Sequence, residues 1–171
     1  MMLAQCTAYQ KEYGFNFIHL LPVNLYGPRD DFDINNSHVI PALIRKIVYA
    51  INHNEQNVDV WGTGDESREF LYVEDAAKAV VLAAEKYDKP EPVNLGSGSE
   101  ITVKELAKTI GEILNFKGDF TYLNNGLGGQ QRRMLDVSKA EREFGFVAET
   151  SIYDGLKKVI EYYLNNKAQL E

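Results

Sequence analysis

The sequence predicts an α/β fold, on three observations. Strand-like and helix-like stretches alternate along its 171 residues. The helix-like stretches repeat apolar residues every three to four positions. Short apolar runs end in Asn, Gly or Pro, as strands do at the carboxyl edge of a parallel sheet.

Met1 to Tyr13 reads as a helix with Leu3, Cys6 and Tyr9 or Gln10 on one face, and no N-cap precedes it. Phe15 to Val23 reads as a buried strand ending in the turn Asn24-Leu25-Tyr26-Gly27-Pro28, and a polar loop then runs to about Asn36. The next helix aligns Ile40, Leu43, Ile44, Ile47 and Ile51, with Pro41 in its first turn, where a missing N–H costs little. His38 then stands at or beside the helix N-terminus. Val58 to Trp61 and Arg68 to Val73 read as two short strands around Gly62-Thr63-Gly64-Asp65. Asp75 is expected to cap a helix through Ala76 to Tyr87, and Pro92 to Leu95 to form a buried strand ahead of Gly96-Ser97-Gly98. Thr102 and Glu105 make a capping box, and the helix behind it turns Val103, Leu106, Ile110 and Ile113 inward. Phe120 to Leu123 reads as a strand. A short helix follows Asp136 or Ser138 and stops at Gly145; Ser151 caps the last helix, with Ile152, Leu156, Val159, Ile160 and Tyr163 inward.

The charge is −7, from 25 acidic and 18 basic residues, which argues against nucleic acid or an anionic membrane as the main partner. A few local arginines can still hold a phosphate on an acidic protein. Cys6 is the single cysteine, so no intrachain disulfide or all-cysteine zinc site can form, and this fits a reducing cytoplasm. The apolar run from Phe17 to Leu25 is broken by His19 and is far too short to span a bilayer. No basic region precedes an apolar stretch at the N-terminus, so no secretory signal is expected. Asn35-Asn36-Ser37 fits a glycosylation acceptor by chance.

Four places hold polar residues that periodicity leaves unexplained. Pro22-Val23-Asn24-Leu25 ends a strand, and the Asn24 amide could face a ligand; a structural turn is the commoner reading. His38 sits in the positive field of a helix N-terminus, which favours the neutral imidazole; it could move a proton or simply bond a loop. Trp61 and Arg68 flank a Gly-rich turn and could stack on a base and grip a phosphate, or form a hairpin with a core tryptophan. Gln130-Gln131-Arg132-Arg133 could meet phosphates or remain a solvated basic loop. No metal-ligand spacing occurs, and no Gly-rich dinucleotide loop or Walker A loop follows a strand.

Read together, several stretches carry a resemblance. They are Pro22-Val23-Asn24-Leu25-Tyr26-Gly27-Pro28, Asn36-Ser37-His38-Val39-Ile40-Pro41-Ala42-Leu43-Ile44-Arg45-Lys46, Val60-Trp61-Gly62-Thr63-Gly64 and Arg68-Glu69-Phe70-Leu71-Tyr72-Val73-Glu74-Asp75. Val93-Asn94-Leu95-Gly96 and Leu135-Asp136-Val137-Ser138-Lys139-Ala140 continue it. In order, they resemble the GDP-L-fucose synthases, which are Rossmann-type extended short-chain dehydrogenases/reductases. The resemblance implies NADPH-dependent conversion of GDP-4-keto-6-deoxymannose to GDP-L-fucose, by epimerisation at C3 and C5 and reduction at C4. It implies that Pro22, Val23, Asn24 and Leu25 border the nicotinamide. His38 would reprotonate the sugar and lie among the residues beside the cofactor. Lys46, Trp61, Arg68 and Arg133 would hold the GDP-sugar.

The same resemblance sets the expected organisation. Residues 1–36 and 70–98 would belong to the cofactor-binding α/β domain, and residues 37–69 and 99–171 to the substrate-binding domain. The family's cofactor loop, catalytic cysteine and Tyr-x-x-x-Lys pair are expected ahead of Met1, so this chain alone would be inactive and would need an N-terminal partner half. A homodimer in the cytoplasm is expected. Gly128 stands where the family carries an aspartate associated with the nucleotide. Two alternatives stay open: a reductase for another nucleotide sugar, and a non-catalytic nucleotide-sugar-binding subunit.

Overall fold

A computed structural model of the chain describes residues 2–33, 36–124 and 130–170, with Gln169 described by its backbone alone. In chain order the elements are α1 (Met2–Tyr13), β1 (Leu20–Pro22), β2 (Asn24–Tyr26), α2 (Val39–His53), β3 (Asn57–Trp61), β4 (Ser67–Tyr72), α3 (Val73–Lys86) and β5 (Val93–Leu95). They continue with β6 (Glu100–Thr102), α4 (Val103–Ile113), β7 (Asp119–Leu123), β8 (Arg132–Arg133), α5 (Ser138–Phe144) and α6 (Ile152–Leu170). This is the expected α/β alternation. The strands pair in parallel at β1–β5, β3–β7 and β4–β8, and one sheet runs in the order β2-β4-β6. No helix among the described residues is long and apolar enough to cross a membrane.

The chain divides into two compact units. The first comprises Met1–Leu25, Glu69–Ser99 and Met134–Thr150; the second comprises Tyr26–Arg68, Glu100–Arg133 and Ser151–Glu171. Residues 134–150, read from sequence with the 99–171 segment, thus group with the first unit.

The first unit packs Leu71, Ala76, Ala79, Ala83, Tyr87, Val93, Leu95, Ala140, Phe144 and Phe146 into one cluster. The four alanines let α3 and α5 lie close. Two buried carboxylates sit in this unit. Glu69 accepts the Gly98 N–H at 2.8 Å and the Leu135 N–H at 2.9 Å. Gly96 passes so near that a Cβ there would stand 2.2 Å from Glu69 Oε1, so any side chain at that position would displace the carboxylate. Asp75 accepts the N–H groups of Glu149 at 3.2 Å and Thr150 at 2.8 Å, with Lys78 at 3.6 Å. Burial raises its pKa, but the Thr150 N–H and hydroxyl, the Glu149 N–H and the Lys78 charge outweigh burial and hold it below its ordinary value.

The second unit buries large aliphatic side chains. Ile40, Leu43, Ile44 and Ile47 of α2 join Leu106 and Ile110 of α4 and Leu156, Val159 and Tyr163 of α6 in its core. Phe32 stacks on Tyr163 at 4.8 Å. Gly155 lets α6 approach Tyr26, whose hydroxyl would lie 2.1 Å from a Cβ at that position.

Four readings are corrected here. The Phe15–Val23 strand shrinks to Leu20–Pro22, and Leu21 and Phe15 are exposed, because only this stretch finds a partner strand, β5. Asn24–Tyr26 is a strand rather than a turn. Trp61 and Arg68 do not flank a hairpin, because β3 pairs with β7 while β4 pairs with β8. Asp75 does not cap α3; the N-cap is Tyr72, and Asp75 lies inside the first turn bonding a distant segment. The capping box at Thr102 forms as read, and Gly145 closes α5 at φ 74°.

Candidate functional site

In the second unit, α2 and β3 bring Lys46 and Trp61 together. Trp61 is the last residue of β3 and pairs with Leu123, the last of β7, so it stands at the carboxyl end of a parallel pair. It is 73% exposed, which overturns the core-tryptophan alternative. Lys46 places its ammonium 4.8 Å from the ring centroid and donates to the Asp59 carbonyl at 2.9 Å. Burial lowers the Lys46 pKa, and the Asp59 charge partly opposes this. The lysine thus braces an indole whose open face is free to stack on a flat ligand.

The following turn is closed on itself. Glu66 accepts the N–H groups of Thr63 at 3.2 Å and Gly64 at 3.0 Å. Its own backbone N–H and these two hold its pKa below the ordinary value. These amides are therefore spent and do not cradle a phosphate.

Arg68 and Arg133 are brought together by the β4–β8 pairing. Arg68 is the register partner of Arg133, as Ser67 is of Arg132. Side chains alternate along a strand, so Arg68 and Arg133 share one face and Ser67 and Arg132 the other. Arg68 is half-buried and donates to the Ser67 carbonyl at 2.7 Å. Arg133 is exposed, and among the described residues it pairs with no carboxylate. Two like charges at one register position repel. An anion bridging them would reverse that cost, and a diphosphate offers oxygens on both sides. Gly128 lies outside the described residues.

His38 is the N-cap of α2, with φ −68° and ψ 169°, and its side chain makes no capping bond. Its Nδ1 lies 3.5 Å from Asp30 Oδ1, and the ring is 80% exposed. Asp30 thus stands beside Nδ1, and Nε2 is the ring nitrogen turned from it.

The edge read as bordering a nicotinamide belongs to the first unit. Pro22 and Leu25 are exposed and apolar, a surface that fits one side of a flat ring. The polar groups of this edge are engaged: Val23 N–H donates to Leu95 at 2.9 Å, and the Asn24 amide donates to the Glu69 carbonyl at 3.1 Å. Asn24 is therefore first a tie to β4. Sequence reasoning missed Glu69 as a hub, although it sits inside a stretch that carried the resemblance. No cluster of three or more metal-ligating side chains occurs among the described residues.

Residues 1–96 match the family described as the NAD dependent epimerase/dehydratase family. The chain belongs to that family. Within it, the chain is 42% identical over 163 residues to a GDP-L-fucose synthase of Sinorhizobium fredii, covering 95% of this chain and 52% of that one. It is 39% identical over 159 residues to a GDP-L-colitose synthase of Yersinia pseudotuberculosis, covering 92% and 51%. A crystal structure of a GDP-L-fucose synthetase from Naegleria fowleri bound to NADP superposes with a TM-score of 0.89 at 26% identity, over 98% of this chain and 53% of that one. The fold is that of Rossmann-type epimerases and reductases. The chain spans about half the length of these relatives.

Proposed function

We propose that the chain carries the GDP-sugar-binding residues and the epimerisation acid of an NADPH-dependent synthase that converts GDP-4-keto-6-deoxymannose to GDP-L-fucose. The carrying observation is the register pairing of Arg68 with Arg133, which sets two cations on one strand face. Trp61 supports the reading as a stacking surface braced by Lys46. The GDP-sugar relatives support guanine as the base.

In this reading Arg68 and Arg133 hold the diphosphate, and Trp61 with Lys46 holds the nucleoside or sugar side. A carbon next to a ketone loses and regains a proton during epimerisation, and the new proton must reach the opposite face. His38 supplies it from Nε2 while Asp30 steadies Nδ1. Bound NADPH would supply the hydride for C4. Pro22 and Leu25 would border its nicotinamide, and Val23 and Asn24 would keep that edge in place through their bonds to Leu95 and Glu69. In the 171 residues no Gly-rich phosphate loop joins a strand to a helix, and the two Tyr-x-x-x-Lys spacings, Tyr153 to Lys157 and Tyr163 to Lys167, both lie on α6, with Tyr163 buried in the core. By itself it therefore binds GDP but does not reduce the ketone.

Titration of the chain with GDP, UDP and dTDP, followed by Trp61 fluorescence, tests this reading. GDP is expected to bind best, and Arg68→Ala or Arg133→Ala to weaken it by about 2 kcal/mol. Joined to a segment supplying Tyr-x-x-x-Lys, His38→Gln is expected to keep GDP affinity and lose deuterium uptake at C3 and C5. Preference for UDP would move the substrate to another base. Unchanged affinity in both arginine variants would end the diphosphate assignment.

A further inference from the structure

On the strand face opposite Arg68 and Arg133, one carboxylate joins three elements. Glu100 opens β6. Its oxygens accept from Arg132 Nε at 3.0 and 2.9 Å, from Arg132 Nη2 at 2.9 Å and from the Ser67 hydroxyl at 2.9 Å. Ser67 and Arg132 are register partners, and the Ser67 N–H donates to the Gln131 carbonyl at 2.9 Å. Arg132 first, then Ser67, hold the Glu100 carboxyl below its ordinary pKa against the effect of burial.

β8 is only two residues long. A strand that short has few ladder bonds to hold its register, and a slip of one residue exchanges its faces. Such a slip would turn Arg133 away and put Arg132 in its place. The fork of Arg132 on Glu100 fixes both the distance and the plane of the guanidinium, so it opposes that slip. An exposed ion pair of this kind adds little to global stability. Its geometry, however, decides which of two adjacent arginines reaches the ligand face.

We infer that Glu100, acting through Arg132 and Ser67, is a positioning residue that sets Arg133 beside Arg68 for the diphosphate. The inference rests on the diphosphate reading of that arginine pair. It divides the Arg132-Arg133 dipeptide into a structural residue and a ligand-facing one. It also accounts for a capable anion-binding arginine being held by a carboxylate next to the proposed anion site.

The test measures GDP and guanosine affinity in the whole chain for Glu100→Gln, Arg133→Ala and the double variant, with the circular dichroism melt as a check on folding. Glu100→Gln is expected to weaken GDP about tenfold and to leave guanosine unchanged. Adding Arg133→Ala to it should bring the loss only to that of Arg133→Ala alone, well short of the sum, because Arg133 is already misplaced. The reversed pair, Glu100→Arg with Arg132→Glu, should recover most of the GDP affinity and keeps the question open to experiment if Glu100→Gln does not fold. Full GDP affinity in folded Glu100→Gln, or losses that simply add in the double variant, would overturn the positioning role while Arg133→Ala alone still weakens GDP. If Arg133→Ala leaves GDP binding intact, the diphosphate reading itself falls, and the role of Glu100 falls with it.

Discussion

The two compact units are held together by different chemistry. The second unit rests on branched aliphatic side chains spaced along α2, α4 and α6. The first has a core rich in alanine, a first helix with no buried residue, and both of the buried charged residues identified, Glu69 and Asp75. In it, backbone amides bonded to two carboxylates add directional ties to segments that also meet in the apolar cluster. Apolar packing is non-directional and insensitive to pH, whereas a carboxylate bonded to backbone amides is directional and sensitive to acid.

The largest effect should come from the second unit. Ile47→Ala removes a fully buried side chain between α2 and its neighbours and is expected to cost about 3–4 kcal/mol in denaturant melts. The loss should be nearly the same at pH 7 and pH 4. A loss below about 1 kcal/mol would mean that the core of this unit is looser than its burial indicates.

Asp75→Asn should cost about 2 kcal/mol at pH 7, because the two backbone N–H groups that share Oδ2 would meet an uncharged amide oxygen and the new NH2 group would face the Lys78 ammonium. The folded carboxyl is held below its ordinary value of 3.8. Its contribution is therefore complete above that pH and is lost as pH falls through the depressed folded value. The difference between wild type and variant should shrink in that acid window and not at neutral pH. A difference that is flat into strong acid would show that Asp75 acts by shape alone.

The smallest effect sharpens the comparison inside the first unit. Tyr13, the last residue of α1, sits 5.4 Å from Tyr9 and 5.9 Å from Phe15 just beyond the helix, yet it is mostly exposed. Tyr13→Ala should change stability by less than about 0.5 kcal/mol. A cost of 2 kcal/mol or more, the scale of a buried aromatic, would place α1 among the elements that hold this unit.

These differences also explain what was legible in the sequence. Local chemistry could be read directly: the Thr102–Glu105 box, Pro41 in the first turn of α2, and the glycine stop after α5 all depend on neighbours a few residues away. The Ile and Leu spacing of α2 predicted its buried face at Ile40, Leu43, Ile44 and Ile47, but not at Ile51, which is exposed in the last turn. Non-local chemistry could not be read. Glu69 bonds amides 29 and 66 residues away, and Asp75 bonds amides 74 and 75 away, so neither pattern has a period. The hairpin reading of β3 and β4 failed for the same reason, since β3 chooses a partner some sixty residues on. Of the candidate site, Trp61, Arg68 and Arg133 could be named from their types and their surroundings. That Arg68 and Arg133 share a strand face, and that Arg132 does not, required the register.

Neither unit is one continuous stretch of chain. The polypeptide passes from one unit to the other after residues 25, 68, 99, 133 and 150. During synthesis the first unit lacks its last segment until Thr150 has been made, and the second waits for α6. Each must therefore hold unfinished surfaces while the ribosome works on the other. No single proteolytic cut releases either unit whole. Grafting the arginine-bearing unit onto another protein would require rejoining three separate segments rather than moving one.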